Sequence, residues 1–274
     1  MNAGAASLAS VTRIGRDGVE SADTALVAEE QPVALVYNGV SHAVMMATPL
    51  DLADFGLGFS ISEGIIRDSS ELLDLAVVEQ DAGVEVRMAI NLERFSALRE
   101  RRRSLIGRTG CGICGVESLA EAVRQWRTAE SEITVKASSV YGALAQLPQE
   151  QAVNKLTHSV HAAAWAGADG RIQLVREDVG RHNALDKLIG ALARRGADFG
   201  SGFALITSRC SVEMVQKAAS VGIPLMVAIS APTALAQRLA DSCGMTLVAL
   251  ARSDSFLVLT HPKRLVQDHP KTVP

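Results

Sequence analysis

The rhythm of apolar and polar positions changes about halfway along the chain. Residues 32–48 form two apolar-rich runs on either side of Asn38-Gly39. That predicts two strands and a tight turn, because Asn-Gly accepts the positive φ values a two-residue hairpin turn demands. Residues 52–66 carry apolar positions at helical spacing, interrupted by Gly56 and Gly58. Residues 75–90 predict a second hairpin turning at Asp81-Ala82-Gly83. Residues 91–103 predict a helix that ends in Arg99, Arg101, Arg102 and Arg103. A glycine-rich stretch, 107–115, follows, and Val116, Leu119, Val123 and Trp126 then recur at helical spacing. This half reads as a small α+β domain with antiparallel strands.

The second half alternates short apolar runs with helical patterns. Strands are expected at 172–175, 203–207, 225–229, 246–249 and 256–260, the first four short enough and apolar enough to be buried on both faces. Between them lie Leu185, Leu188, Ile189 and Leu192, then Val212, Val215 and Ala219, then Leu235 and Leu239. The alternation implies an α/β sandwich with a mostly parallel sheet. The expected division is a loose tail of small and polar residues over 1–18, a small α+β domain over 19–130, and an α/β domain over 131–274.

Composition narrows the partners. The 274 residues are 48% hydrophobic and 21% charged, so a large core is available, but only 4% are aromatic, so Ala, Val, Leu and Ile must build it. A formal charge of -3 argues against sequence-independent nucleic-acid binding. No apolar run reaches the roughly 20 residues of a membrane helix, and the start lacks a secretory pattern. Four cysteines in such a chain do not make a disulfide scaffold, so a reducing, cytoplasmic setting is expected.

The candidate chemistry centres on Cys111-Gly112-Ile113-Cys114. A thiol attacks as its thiolate. The helix predicted from Val116 would turn its N-terminal dipole toward the pair, and Arg108 with the preceding arginines adds positive charge. Gly107, Gly110, Gly112 and Gly115 leave room for another molecule to approach. Cys111 is read as the nucleophile and Cys114 as an assisting or resolving thiol. Competing readings are a structural zinc site completed by His158 and His161, a thioredoxin-like redox pair, and a loop with two inert thiols. Cys210 and Cys243 read as packing residues.

Polar residues follow the predicted strands: Arg176, Glu177, Asp178, Arg181 and His182 after the first, Ser208 and Arg209 after the second, and Ser230-Ala231-Pro232-Thr233 after the third. Ligands of open α/β sheets bind at the carboxyl ends of strands. With helix N-termini, these residues predict a phosphate-binding pocket, Asp178 serving as an N-cap and Pro232 starting a helix. No histidine is followed two positions later by Glu, and no Pro precedes Cys111, which disfavours a zinc nucleobase deaminase. A binding module that handles no sulfur stays open.

The run 175–187, Val-Arg-Glu-Asp-Val-Gly-Arg-His-Asn-Ala-Leu-Asp-Lys, resembles the signature of the FdhD family of formate dehydrogenase accessory sulfurtransferases. Further likenesses, in family order, are Leu57-Gly58-Phe59 with Ser62-Glu63-Gly64-Ile65-Ile66, the Cys111–Cys114 loop, 213–219, Gly222-Ile223-Pro224, Ser230-Ala231-Pro232 and Thr260-His261-Pro262, spanning roughly residues 28–265. The resemblance implies a cytidine-deaminase-like three-layer α/β sandwich with a smaller N-terminal α+β domain, assembled as a homodimer. It implies that Cys111 takes persulfide sulfur from a cysteine desulfurase and passes it to Mo-bis(molybdopterin guanine dinucleotide), a bound substrate destined for formate dehydrogenase. No permanent metal is expected. Phe256, Leu257, Val258, Leu259, Thr260 and His261 correspond to a cofactor-binding stretch of the family. The chain departs from the family where two glycines become His158 and Ser159, and where Ser208 replaces the glycine before Arg209.

Overall fold

The computed structural model describes residues 4–105 and 131–268. The chain begins with a ribbon in which β1 (Ala6–Ile14) pairs antiparallel with β2 (Glu20–Ala28), in register from Ala6 opposite Ala28 to Ile14 opposite Glu20. The expected loose tail over 1–18 is therefore a strand from Ala6 onward. Its turn, closed by Gly18 N–H donating to Gly15 O, uses an Asp17-Gly18 signal that the many Ala and Ser residues around it obscure. Ala5 and Ala28 anchor the ribbon base against Val153 and Val160.

The hairpin of β3 (Gln31–Tyr37) and β4 (Val40–Ala47) turns at Asn38 and Gly39 with φ of 47° and 79°, as its sequence requires. Helix α1 (Leu52–Ser62) follows, then the hairpin β5 (Leu72–Gln80) and β6 (Gly83–Ile90), then α2 (Leu92–Leu105). The sheet order is β4-β3-β6-β5, and β3 pairs parallel with β6. Antiparallel pairing thus holds within each hairpin, where the turn decides it, and fails at their junction, where the excursion through α1 decides it.

The second half runs β7 (Val135–Lys136), α3 (Ala137–Glu150), α4 (Asn154–Thr157), β8 (His161–Gly167), β9 (Ile172–Asp178), α5 (Arg181–Arg194), β10 (Gly202–Ile206), α6 (Val212–Ser220), β11 (Leu225–Ala228), α7 (Ala234–Ser242), β12 (Thr246–Ala249), β13 (Leu257–Val258) and β14 (Leu265–Val266). Among the described residues the large sheet has six strands in the order β13-β12-β11-β10-β8-β9. Only β10–β11 and β11–β12 pair parallel, so the sheet is mixed rather than mostly parallel. The cause is β8, whose Ala-rich sequence carries no strand propensity. It is buried on both sides: Ala163 and Trp165 join the core beneath α5, α6 and α7, while Ala164 and Ala166 join Val140, Ala143 and Leu147 of α3 on the opposite face. Helices therefore cover both faces of the sheet.

One continuous core runs from the four-stranded sheet through α1 and α5 into the six-stranded sheet. Helices α1 and α5 cross with backbone against backbone. A Cβ on Gly58 would lie 1.7 Å from Asp186 O, and one on Gly190 would lie 1.9 Å from Asp54 O. Gly58, an interruption in the sequence pattern, is the contact point of the fold. Among the described residues no helix is long and apolar enough to cross a membrane.

Candidate functional site

Strand direction assembles the site. Strand β8 runs antiparallel to both β9 and β10, so β9 and β10 point the same way, and β11 and β12 run parallel to β10. The carboxyl ends of four strands thus share one edge with the start of β8, where His161 stands opposite Asp178. Main-chain hydrogen bonds tie the loops into a row: Thr207 N to Ala162 O at 3.1 Å, Ile229 N to Ile206 O at 3.0 Å, Thr233 N to Cys210 O at 3.0 Å, and Leu250 N to Ser230 O at 3.3 Å. The three loops singled out in the sequence converge on this edge. At about 4.8 Å per strand, the row from β9 to β12 is roughly 19 Å long.

Arg181 and His182 form the first turn of α5, whose N-cap, Gly180, supplies no side-chain cap. Arg181 Nε and His182 Nε2 are buried and have no hydrogen-bond partner among the described residues. Desolvated polar nitrogens cost free energy unless something bonds to them. Burial, reinforced by the cations of Arg181 and Lys217, depresses the His182 pKa from 6.5 to about 4, so its ring is neutral at neutral pH. Ser208 is buried, its hydroxyl donating to Arg209 O at 3.1 Å, while Arg209 is exposed on the rim. His161 is half-buried and its pKa is lowered by burial and by Arg181. His158 adopts a positive φ of 53° and caps α4. That conformation favours glycine, so a histidine holds it at some strain.

Two predicted pocket residues have interior roles. Asp178 is fully buried, 2.6 Å from Lys187 Nζ, and accepts from Thr48 N, Gly180 N and Asn183 Nδ2 at 3.1, 2.8 and 3.0 Å. It is not the N-cap; that position belongs to Gly180. Arg176 donates through Nε and Nη2 to Asp54 at 2.9 and 2.7 Å, binding α1 to β9. Pro232 stands one residue before the true cap of α7, Thr233, whose hydroxyl accepts from Ala236 N at 3.2 Å.

The C-terminal stretch is divided between the two ends of β12. Leu257 pairs with Ala249 near the loop row, with Phe256 packed on the Tyr141 ring at 5.0 Å. Leu257 and Val258 are exposed on the edge strand β13, and Leu259 packs against the main core. Thr260 lies at the far end, donating to Met245 O at 2.7 Å and accepting from Leu247 N at 2.9 Å. His261 is also there, its Nε2 2.8 Å from Asp241 O. The structure therefore brings Arg181, His182, Ser208, Arg209 and the start of this stretch to one edge, and places Thr260 and His261 at the other. Cys111 and Cys114 lie outside the described residues. Cys210 and Cys243 are buried, and burial pushes Cys210 up to about 12, consistent with packing roles.

Reading the sequence misses the buried charges behind the row. Lys217 lies between α1, α5 and α6, donating to Glu63 at 2.7 Å and Ser62 at 3.1 Å and forming an ion pair with Asp186 at 3.0 Å. Burial alone would lower its pKa, but the carboxylates of Asp186 and Glu63 outweigh that and hold it above its ordinary value. Burial raises Asp186 to about 6, against the opposing pull of Lys217. The signal was available as charged residues on otherwise apolar helix faces, Asp186 and Lys187 between Leu185 and Leu188.

Comparison with known proteins gives a consistent result. Residues 28–266 match the model of the FdhD/NarQ family. A Cupriavidus necator protein named sulfur carrier protein FdhD is 52% identical over 239 residues, covering 87% of this chain and 83% of that protein. One of the same name from Xanthomonas euvesicatoria pv. vesicatoria is 51% identical over 259 residues, covering 94% and 92%. A crystal structure from Desulfotalea psychrophila, described as a formate dehydrogenase accessory protein, superposes with a TM-score of 0.76 at 24% identity, covering 95% of this chain and 99% of that one. The last likeness establishes the fold.

Proposed function

The chain belongs to the FdhD/NarQ family, and from that premise we propose that it is a sulfur carrier for formate dehydrogenase maturation, a sulfurtransferase whose working thiol is Cys111. The observation that carries this reading is identity at about half of all positions, over nearly the whole chain, with proteins named sulfur carriers. The finer steps are these. The Cys111 thiolate attacks the terminal sulfur of a cysteine desulfurase persulfide. A new S–S bond forms, the desulfurase thiolate leaves, and Cys111 holds the sulfane sulfur as a persulfide. The acceptor is the bis-guanine-dinucleotide molybdenum cofactor, a substrate whose nucleotide portion rests on the row of loops at the sheet edge. Attack by Cys114 on Cys111 would close a disulfide and release the sulfane sulfur as hydrosulfide. Arg181 Nε and His182 Nε2, without a partner among the described residues, support a polar ligand at that edge. The mixed sheet, with helices on both faces, is compatible with the cytidine-deaminase-like sandwich, and the protein acts as a homodimer in this reading.

The test is transfer of radiolabelled sulfur from cysteine by a purified desulfurase, with mass spectrometry for an adduct of about 32 Da. Wild type is expected to carry the label and Cys111→Ala to lose it while still binding GDP. Label retained on Cys111→Ala would remove that thiol from the relay. Full activation of formate dehydrogenase by Cys111→Ser would leave a chaperone that handles no sulfur.

A further inference from the structure

His182 and Asp186 lie one turn apart on α5, and Glu213 and Lys217 one turn apart on α6. Lys217 Nζ donates to Glu63 and Ser62 and forms an ion pair with Asp186 at 3.0 Å, with the Phe59 ring 5.3 Å away. The cation is therefore a fixed charge, immobilised where α1, α5 and α6 meet. The groups around His182 are Arg181 from its own helix, Lys217 and Glu213 from α6, and Glu63 from the end of α1. Asp186, one turn below, is occupied by Lys217 and by Ser62, whose hydroxyl donates at 2.6 Å.

We propose that His182 reads an uncharged polar group of the nucleotide-containing substrate through its Nε2, with Lys217, held where α1, α5 and α6 meet, as a positioning residue behind it. The proposal rests on the nucleotide reading of the sheet edge. Its first support is the buried Nε2 without a partner among the described residues, set in the loop row beside the equally unpartnered Arg181 Nε. The second is division of labour. A neutral ring offers one hydrogen bond, as donor or acceptor by tautomer, which suits a ring N–H, a carbonyl or a sugar hydroxyl. Phosphate is better served by the guanidinium groups of Arg181 and the exposed Arg209. The third is the fixed position of Lys217, held by Glu63, Ser62 and the ion pair with Asp186, so its influence on the edge is electrostatic. Burial, then Arg181, then this fixed cation act in the same direction on His182.

Calorimetric titration with GDP, guanosine and inorganic pyrophosphate separates the roles. His182→Ala is expected to weaken GDP and guanosine about tenfold, the worth of one buried hydrogen bond, and to leave pyrophosphate unchanged. Arg181→Gln is expected to weaken pyrophosphate and GDP and to spare guanosine. Equal loss of pyrophosphate and guanosine on His182→Ala would overturn the assignment. NMR titration of the His182 ring tests Lys217. The ring pKa should rise partway in Lys217→Met, burial and Arg181 remaining, and stay fully depressed in Lys217→Arg. If Lys217→Met does not fold, Lys217→Met/Asp186→Asn removes both charges and should show the same rise. A ring unmoved by either variant would end the positioning role. Failure of wild type to bind any of the three probes would overturn the nucleotide reading itself, with the ring titration still deciding the part of Lys217.

Discussion

Alanine at Gly58 should force the two halves of the molecule apart. Its Cβ would stand 1.7 Å from Asp186 O and 2.7 Å from Gly190 N, both backbone atoms that cannot rotate away. Restoring a normal contact of about 3.4 Å requires α1 and α5 to separate by roughly 1.7 Å. That movement stretches the Ser62–Asp186 hydrogen bond from 2.6 Å and the Arg176–Asp54 bond from 2.7 Å past useful reach. Overpacking costs about 1–3 kcal/mol, and each charged hydrogen bond lost about 1.5–3 kcal/mol. Alanine's better helix propensity returns about 1 kcal/mol. The net expectation is a loss of about 3–8 kcal/mol. Gly142→Ala is the control. It also lies within a helix, α3, but the nearest atom to its added Cβ is Gln146 Nε2 at 4.0 Å. Only the propensity gain acts there, about 0.5–1 kcal/mol of stabilisation. Urea denaturation with a slope of about 3 kcal/mol/M would place the midpoint of Gly58→Ala about 1–2.5 M below wild type and that of Gly142→Ala slightly above it. A Gly58→Ala midpoint within about 0.3 M of wild type would refute the claim that the helix backbones touch at that residue.

Lys187→Met should cost about 3–5 kcal/mol in the same assay, because it leaves the fully buried Asp178 without the cation now 2.6 Å away. Lys187→Met/Asp178→Asn should recover a large part of that loss; no recovery would show that the lysine serves packing rather than charge. The depressed pKa of His182 gives a pH signature. Above 6.5 the ring is neutral in both folded and unfolded chains. As pH falls toward about 4 the unfolded chain takes up a proton that the folded chain resists, so stability is lost over that window. Asp186, raised to about 6, acts in the opposite direction over an overlapping range, so the readout must be differential. Between pH 7 and about pH 4.5, His182→Gln should lose less stability than wild type by roughly 1–2 kcal/mol, after discounting for partial solvent screening. Parallel stability curves for the two proteins would contradict a buried neutral ring.

Much of the architecture was legible because it is locally encoded. Asn38-Gly39 fixes a turn whatever surrounds it, and the helical spacing of Leu185, Leu188, Ile189 and Leu192 survives in α5. The runs at 203–207, 225–229 and 246–249 are strands because they are apolar on both faces, and the loops after them meet at one edge because parallel strands end together. Strand β8 was not legible. Alanine reads as helix, and only the close approach of helices on both faces makes small residues necessary there. Asp178 shows the same limit within the site: a carboxylate after a strand looks the same in sequence whether it caps a helix or neutralises a buried lysine.

The sequence by itself determined the turns, most helices, the three apolar strands and the polar residues that follow them, since each depends on neighbours a few positions away. It also carried the family, in a long polar signature whose order chance would not reproduce. The tertiary structure decided the mixed direction of the large sheet, the backbone contact at Gly58 and Gly190, and which charges look inward. Those outcomes depend on contacts between separate elements, some between residues more than a hundred positions apart, Ser62 with Asp186 and Lys217 among them, where distance and burial rather than residue type set the chemistry.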